Sequence, residues 1–529
     1  MTPTFPVSLA VGWARVVTVF VIDVALLAVG AAAAGRSGWW AGAGAALLIT
    51  VAALVCWRGA PLLTLVWRSV TARRATLGVP AGALADHDRM FGTGPVGIRA
   101  VGPHLVAVVA VDGQPHSPSV LDYPRVESLS KLPLDAVAAG LRQFDVTLDG
   151  IDVVGVGERR ASKTHHPHAE AYSSEVGDHP AVGQRQTWLV IRLNAAESAR
   201  AIVWRESVAA TMCAAAEWLA QELTSLRVPA RVLTAAQIRA VDEAVLGGAD
   251  PAGLRPGWGR VRHPGGYVQA YWMSPRDISS DTIDRLWAPD TDATVVTVQL
   301  RSTATATTVG VLVRYHTGAP LVEPALTGLN PLTGRHDVGM TAGLLVAVGV
   351  PVVPARELAA GERLAAAIGA TGIIIGTTAS GHPLLVDVGN PTEMATVTIA
   401  GELALTVQIA LRAAATGYQV LVCTERSQRW QDATGAGLQV VGGVGLAEQL
   451  APARRRWMVI YDQVSGSAPR GAAVTVRTVA PGSASGADIH IEQDGPRSAV
   501  IRTWAIQYRL RIDVDHERRL IARRPRRAA

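Results

Sequence analysis

The chain has 529 residues, with 49 Lys plus Arg against 43 Asp plus Glu, and three cysteines. That length exceeds one ordinary core and predicts two or three folded units. A hydrophobic content of 49% with a mean hydropathy of +0.24 excludes a disordered or collagen-like chain. Cys56, Cys213 and Cys423 are too few and too dispersed for a disulfide framework or a Cys-rich zinc site, and they fit a reducing compartment.

The first sixty residues carry the strongest signal. Val16 to Gly35 is apolar apart from Thr18 and Asp23, and Gly38 to Trp57 carries no charge. Each segment reaches the roughly 20 residues a helix needs to cross a hydrocarbon core about 30 Å thick. Only Arg36 and Ser37 separate them, so the sequence predicts a tight transmembrane helical hairpin over 1–57, its midpoint between those two residues. Trp13, Trp39, Trp40 and Trp57 fall near the predicted interfaces, as aromatic belts do. The first fourteen residues lack the positive region of a cleaved signal peptide, and a second full span follows at once.

Arg58, Arg68, Arg73 and Arg74 follow the second span and Arg15 precedes the first, whereas the hairpin tip has Arg36 alone. The positive-inside tendency therefore places both termini and the rest of the chain in the cytoplasm. The segment 58–94 mixes Leu62, Leu63, Val66 and Val70 with basic residues, as an interfacial helix does. Asp23 at mid-span costs about 2.5–3.5 kcal/mol on insertion scales and is expected to face protein rather than lipid. Thr50 lies at the same depth and offers it a hydroxyl; a partner subunit's helix is the other candidate. Gly38, Gly42 and Ala46, spaced by four, give the second helix a small-residue face for close packing, on the first helix or on a partner.

Beyond the hairpin, short β-rich runs alternate with Ala-rich amphipathic stretches. In the first unit, 95–250, "HLVAVVAVDG", "IDVVGVG" and "TWLVIRLN" read as strands, "ESVAATMCAAAEWLAQEL" and "AQIRAVDEAVL" as helices. A Gly/Pro-rich break opens a loop-rich β segment over 251–335, containing "ATVVTVQL" and "TVGVLVRYH". A second α/β unit spans 336–515, with "ELALTVQIALRAAATG" as its helix and "ATVTIAG", "YQVLVCTER" and "WMVIYD" as strands. Its last strands, from "AAVTVRTV" onward, are expected to be antiparallel. The fold class is thus a two-helix transmembrane hairpin plus a mixed α/β cytoplasmic region.

The tail, 516–529, holds Arg518, Arg519, Arg523, Arg524, Arg526 and Arg527, which equal the whole net charge of +6. The remainder is near neutral, which argues against a nucleic-acid surface.

No chemical motif survives inspection. "GERRASKT" at Gly157–Thr164 nearly matches a phosphate loop, but Ser162 stands where the second glycine must let backbone amides wrap phosphate. His165, His166, His168 and His179 lack the spacing of metal ligands. "GGVG" at Gly442–Gly445 has Glu448 in place of the third glycine of a dinucleotide loop. The acidic pair Asp290 and Asp292 precedes a strand rather than ending one, and Asp513 and Asp515 abut the arginine tail. No catalytic residue, cofactor or metal site is assigned.

The hairpin followed by "GPVGIRAVGPHLVAVVAVDGQPHSPSVL", "ESVAATMCAAAEWLAQELTSLRVPARVLTAAQI" and "IAGELALTVQIALRAAATGYQVLVCTERSQRW" resembles the EccE family, membrane subunits of the type VII (ESX) secretion systems of mycobacteria and related actinobacteria. The resemblance implies a non-enzymatic structural subunit of the inner-membrane secretion complex, beside EccB-, EccC- and EccD-like subunits and the lipid bilayer, with EccC supplying the energy. It assigns no catalytic residue. The alternative on the residues alone is a membrane-anchored enzyme of the cytoplasmic face, such as a nucleotide-sugar transferase.

Overall fold

The computed structural model describes residues 7–9, 13–57, 60–61, 82–161, 167–303, 306–348, 350, 352–435, 437–445, 456–467, 469–483 and 486–522. Most of the interfacial segment expected after the hairpin, and Arg523 to Arg527 of the tail, lie outside these residues.

The N-terminal unit is a hairpin. Strand β1 (Val7–Leu9) leads to α1 (Trp13–Leu54), two helical arms that reverse at Gly35, whose φ is +57°. The reversal sits one residue before the midpoint expected at Arg36–Ser37, because glycine alone takes a left-handed φ freely. Both arms, Val16–Ala33 and Ser37–Leu54, are long and apolar enough to cross a membrane. The second arm stops at Leu54 rather than Trp57. Residues of β2 (Val55–Trp57) pair instead with β1, Val7 opposite Trp57 and Leu9 opposite Val55. This pairing holds both feet of the hairpin at one end.

The body is built on two sheets. Among the described residues, sheet I is 13-stranded. Its main path comprises β3 (Ala83–His87), β4 (Val96–Val101), β5 (His104–Val111), β8 (Gly150–Glu158), β9 (Gln184–Asn194), β10 (Gly266–Met273), β11 (Ala293–Ser302) and β12 (Thr307–Thr317). The order is β10–β12–β11–β8–β9–β5–β4–β3, antiparallel throughout. Strand β5 reads as an unbroken apolar run because both its faces are covered. Leu105, Ala107, Val109 and Val111 pack with Met212, Ala216 and Leu219 of α2 (Val208–Ser225) in one core. Val106, Val108 and Ala110 pack on the opposite face with Ile238 and Val241 of α3 (Ala235–Val245) and with Leu344–Ala347. Both helices start on side-chain caps, Ser207 accepting from the Ala210 N–H and Thr234 forming a capping box with Gln237.

The Leu344–Ala347 cover is not helical, so its carbonyls lack partners of their own. Arginines from two strands of sheet I supply partners for Leu345 and Val346. Arg99 donates to Leu345 O at 2.7 Å and Arg192 to Val346 O, while Arg314, on a third strand, donates to carbonyls in the last turns of two helices, Met340 O at 2.9 Å and Val245 O. All three are buried. Asp242 pairs with Arg99 at 2.5 Å and Asp152 with Arg192 at 3.0 Å. Arg314 is held by carbonyls, and its desolvation pulls the guanidinium down to about 9.

Among the described residues, sheet II is 12-stranded. Besides β6 (Pro118–Asp122) and β7 (Arg125–Ser128) it contains β13 (Ile373–Thr377), β14 (Pro383–Val386), β15 (Ala395–Ala400), β16 (Gln419–Thr424), β17 (Leu438–Val441), β18 (Trp457–Asp462), β19 (Ala472–Val479), β20 (Ile489–Gly495), β21 (Ser498–Thr503) and β22 (Gln507–Arg511). The order is β17–β16–β18–β19–β15–β20–β21–β22–β13–β14–β6–β7. The first six strands are mutually parallel, which corrects the expectation that β19 would be antiparallel: it lies parallel to both β18 and β15. Antiparallel pairing begins only where short turns join β20, β21 and β22. The helix Leu403–Ala415 lies almost wholly buried against this sheet. Because β6 and β7 come from the early chain, and β12 pairs with Ala355–Glu357, the two sheets are interlocked rather than sequential.

Two buried histidines give sheet I a pH dependence. The Nδ1 of His336 accepts the Ala270 N–H at 3.0 Å, and burial pulls the ring down to about 4. Burial also pushes His316 well below its usual value. Both are neutral when folded, and protonation below about 6.5 favours the unfolded chain. Their contribution is therefore full above pH 6.5 and lost as pH falls toward 4. His336 alone is expected to remove about 2 kcal/mol between pH 7.5 and 5. Denaturant titration of the detergent-solubilised chain at those two pH values checks this. His336→Asn, which keeps an acceptor at the δ position, is expected to shrink the difference by about that amount.

Candidate functional site

The hairpin holds the residues singled out in the sequence. Thr50 Oγ1 donates to Asp23 Oδ2 at 2.6 Å, joining the two arms at mid-span. The other carboxylate oxygen, Oδ1, is buried and has no partner among the described residues. Gly38, Gly42 and Ala46 are buried along one stripe of the second arm. That stripe faces the first arm at backbone distance. A Cβ on Gly42 would stand 2.7 Å from Leu26 O, and one on Gly30 would stand 2.4 Å from Gly38 O. These approaches leave no room for any side chain, so Gly30 and Gly42 fix how closely the arms pack. Sequence reasoning passed over Gly30, although a glycine among alanines opposite two glycines was the available signal. Trp39 and Trp40 meet edge to face near the tip, centroids 5.2 Å apart, and exposed Trp13 stands at the foot.

In the body, the polar residues weighed as chemistry hold the fold. Gly157 and Glu158 end the central strand β8 instead of opening a loop, and Ser162 to Thr164 lie outside the described residues. Arg159 donates to the carbonyls of Gly177, His179 and Ala288. Arg160 pairs with Asp290 at 2.8 Å, so the near-miss phosphate loop and the acidic pair hold one another. His179 donates to Val176 O at 2.7 Å; His165 and His166 lie outside the described residues, and nothing is described of the His168 side chain. Gly442 to Gly445 form a turn after β17, and Glu448 lies outside the described residues. Gln408 donates to Asp513 O at 2.5 Å, and Asp515 pairs with Arg497 and Arg518, both at 2.7 Å. Arg518 also bridges to Glu402 at 2.5 Å, so the arginine tail begins as a structural helix, Asp515–Ala522, rather than a solvated terminus. No group of three or more His, Cys, Asp or Glu side chains able to hold a metal ion occurs among the described residues.

Two further carboxylates were missed. Asp462 accepts from Thr424 Oγ1 at 3.0 Å, Trp430 Nε1 at 3.0 Å and Arg426 at the end of β18. Burial opposes its ionisation, yet the hydrogen bonds led by Arg426 hold its carboxyl below the usual range. Glu217 on α2 is likewise held low: burial works against it, but Thr93 and Arg89 outweigh that.

Comparison with known proteins gives this architecture a family. A model described as "Putative type VII ESX secretion system translocon, EccE" matches residues 181–273, the stretch from β9 through α2 and α3 to β10. The ESX-5 secretion system protein EccE5 of Mycobacterium tuberculosis is 36% identical over 386 residues, covering 68% of this chain and 95% of that protein. Its counterpart from Mycobacterium marinum is 35% identical, covering 69% and 96%. This chain belongs to the EccE family. The ESX-2 secretion system protein EccE2 of Mycobacterium tuberculosis is more distant, 28% identical over 64% of this chain and 62% of its own.

In this EccE-family hairpin the glycine contacts generate a test with an internal control. Gly42→Leu is expected to force the arms apart and separate Thr50 from Asp23, lowering both the amount of chain in the membrane fraction and its melting temperature in detergent. Gly44→Leu, where a Cβ meets nothing within 4 Å, is expected to leave both unchanged.

Proposed function

We propose that this chain is a non-enzymatic structural subunit of a type VII (ESX) secretion complex in the inner membrane. Its hairpin crosses the bilayer twice, both termini and the body lie on the cytoplasmic side, and hairpin and body together bind EccB-, EccC- and EccD-like subunits. The similarity to EccE5 over 95% of that protein's length carries the reading. Three observations support it. The hairpin arms are apolar and mostly outward-facing, as lipid or partner helices require. The arginines cluster after the second arm. Arg159, Arg160, His179, Asp290 and Asp515, weighed as chemistry, are engaged in ion pairs and with backbone carbonyls of the fold itself. Within this reading Asp23 and Thr50 set the register of the arms, and Gly30 against Gly38, with Gly42, sets their separation.

The test is extraction of native membranes in mild detergent, resolution on a native gel and identification by mass spectrometry. Co-migration with EccB-, EccC- and EccD-like proteins in one large particle is expected. A lone small species, stable across several detergents, would overturn the subunit reading.

A further inference from the structure

The strand registers define which end of sheet I receives the chain from the hairpin. Strand β3 begins there, with Ala83 opposite Ala100, and the β4–β5 turn lies beside it, with Val101 opposite His104. His104 in turn stands opposite Asn194, where β9 ends, and Arg192 opposite Gly150, where β8 begins. Immediately before β3, the sequence mixes Leu62, Leu63, Val66 and Val70 with Arg58, Arg68, Arg73 and Arg74, the composition of a segment that lies in a membrane interface. A chain that follows the interface up to β3 delivers this end of the sheet to the bilayer.

The loop that leaves β9 at this end, residues 195–206, presents its large apolar groups to solvent. Val203 is 70% and Trp204 89% exposed, although Trp is on average a well-buried residue. The loop is braced from beneath, with Ser198 Oγ donating to Thr147 O at 3.1 Å and the Arg205 N–H to Ile202 O at 2.9 Å. Arg205 also pairs with Asp145 at 2.5 Å, which holds the turn carrying the 95%-exposed Phe144 against the loop. Glu197, Arg200, Arg205 and Glu206 leave the loop with no net charge, so apolar insertion and not long-range attraction must hold any cover. No carboxylate pairs with Arg200 or Arg142 among the described residues, and Arg142 donates to Ser302 Oγ and Thr303 O. Two guanidinium groups with their charge unmatched thus flank the indole, as phosphate headgroups require.

We propose that Trp204, with Val203 and Phe144 beside it, inserts into the interfacial layer of the bilayer that the hairpin crosses, so that the body docks on the membrane by this end of sheet I. The amphipathic indole is the side chain that favours the headgroup layer, its ring among the upper acyl chains and its N–H toward water. Arg142 and Arg200 reach lipid phosphates from the rim. This inference rests on the membrane-spanning reading of the hairpin given above, and adds a second, peripheral contact that fixes how the body is oriented.

The test reconstitutes the full chain in phosphatidylcholine vesicles that carry a headgroup nitroxide. In a Cys56→Ala background, an environment-sensitive fluorophore is attached through Ala196→Cys in the loop, or through Ser225→Cys at the end of α2. The latter lies toward the opposite end of sheet I, where Ala230 stands opposite Val111. Quenching at position 196 well above that at 225 is expected. Equal quenching at the two positions, or none at 196, leaves that end of the sheet to a protein partner and overturns the proposal. Adding Val203→Ser with Trp204→Ser is expected to shift the docked-to-lifted ratio about tenfold or more toward lifted, because burying such side chains is worth at least that factor. Quenching at 196 then falls toward the level at 225, while the melting temperature in detergent stays unchanged because both side chains are exposed. Undiminished quenching, or a melting temperature several degrees lower, contradicts an anchoring role. A chain that alkaline carbonate strips from the vesicles removes the membrane-spanning reading and this inference with it, whereas a chain that stays inserted without quenching at 196 removes this inference alone.

Discussion

The body depends on how buried backbone carbonyls are satisfied where one face of sheet I is covered by a segment without regular structure. Val106, Val108 and Ala110 need an apolar cover, and Leu344–Ala347 supplies it, but laying such a segment over a sheet strands its carbonyl groups. Arg99 and Arg192 resolve this by reaching from the sheet to Leu345 and Val346, and Arg314 reaches Met340 in the last turn of the helix that precedes the cover. Guanidinium groups are suited to this because they carry several donors, and burial does not readily deprotonate them. Because the arginines come from strands beginning at Val96 and the cover from beyond residue 340, this one interaction ties the early chain to the late chain. The exchange of β6 and β7 into sheet II does the same in the other direction.

The hairpin meets a different form of the same constraint. In hydrocarbon there is little hydrophobic force between helices, so close backbone packing and polar contacts must hold the arms. Gly30 and Gly42 provide the first and Asp23 with Thr50 the second. Pairing of β1 with β2 then fixes both feet at one end, so the chain enters and leaves the hairpin on the same side. A rigid two-arm insert of this kind is suited to being gripped by neighbouring helices.

Much of this was legible in the residues, and the exceptions share a cause. The two spans, α2, α3 and most central strands follow from local periodicity, and the Asp23 and Thr50 pairing follows from equal depth in a hairpin. The reversal at Gly35 was missed by one residue because the polar pair that follows it, Arg36 and Ser37, drew the boundary. Parallel pairing of β19 was missed because a strand's own pattern does not name its neighbours. Glu217 and Asp462 were missed for a related reason: Thr93 lies 124 residues from the first, and Arg426 lies 36 from the second. No local spacing announces such partners.

The placement of the body relative to the bilayer is the claim on which the functional account turns, and thiol labelling tests it most directly. In a Cys56→Ala background, with Cys213 and Cys423 buried, single cysteines replace Ser37 at the hairpin tip or Ser225 at the end of α2. A membrane-impermeant maleimide is applied to intact spheroplasts. The account predicts labelling at position 37 from outside and at position 225 only after permeabilisation. Labelling of position 225 in intact cells, or of position 37 only after lysis, would contradict it.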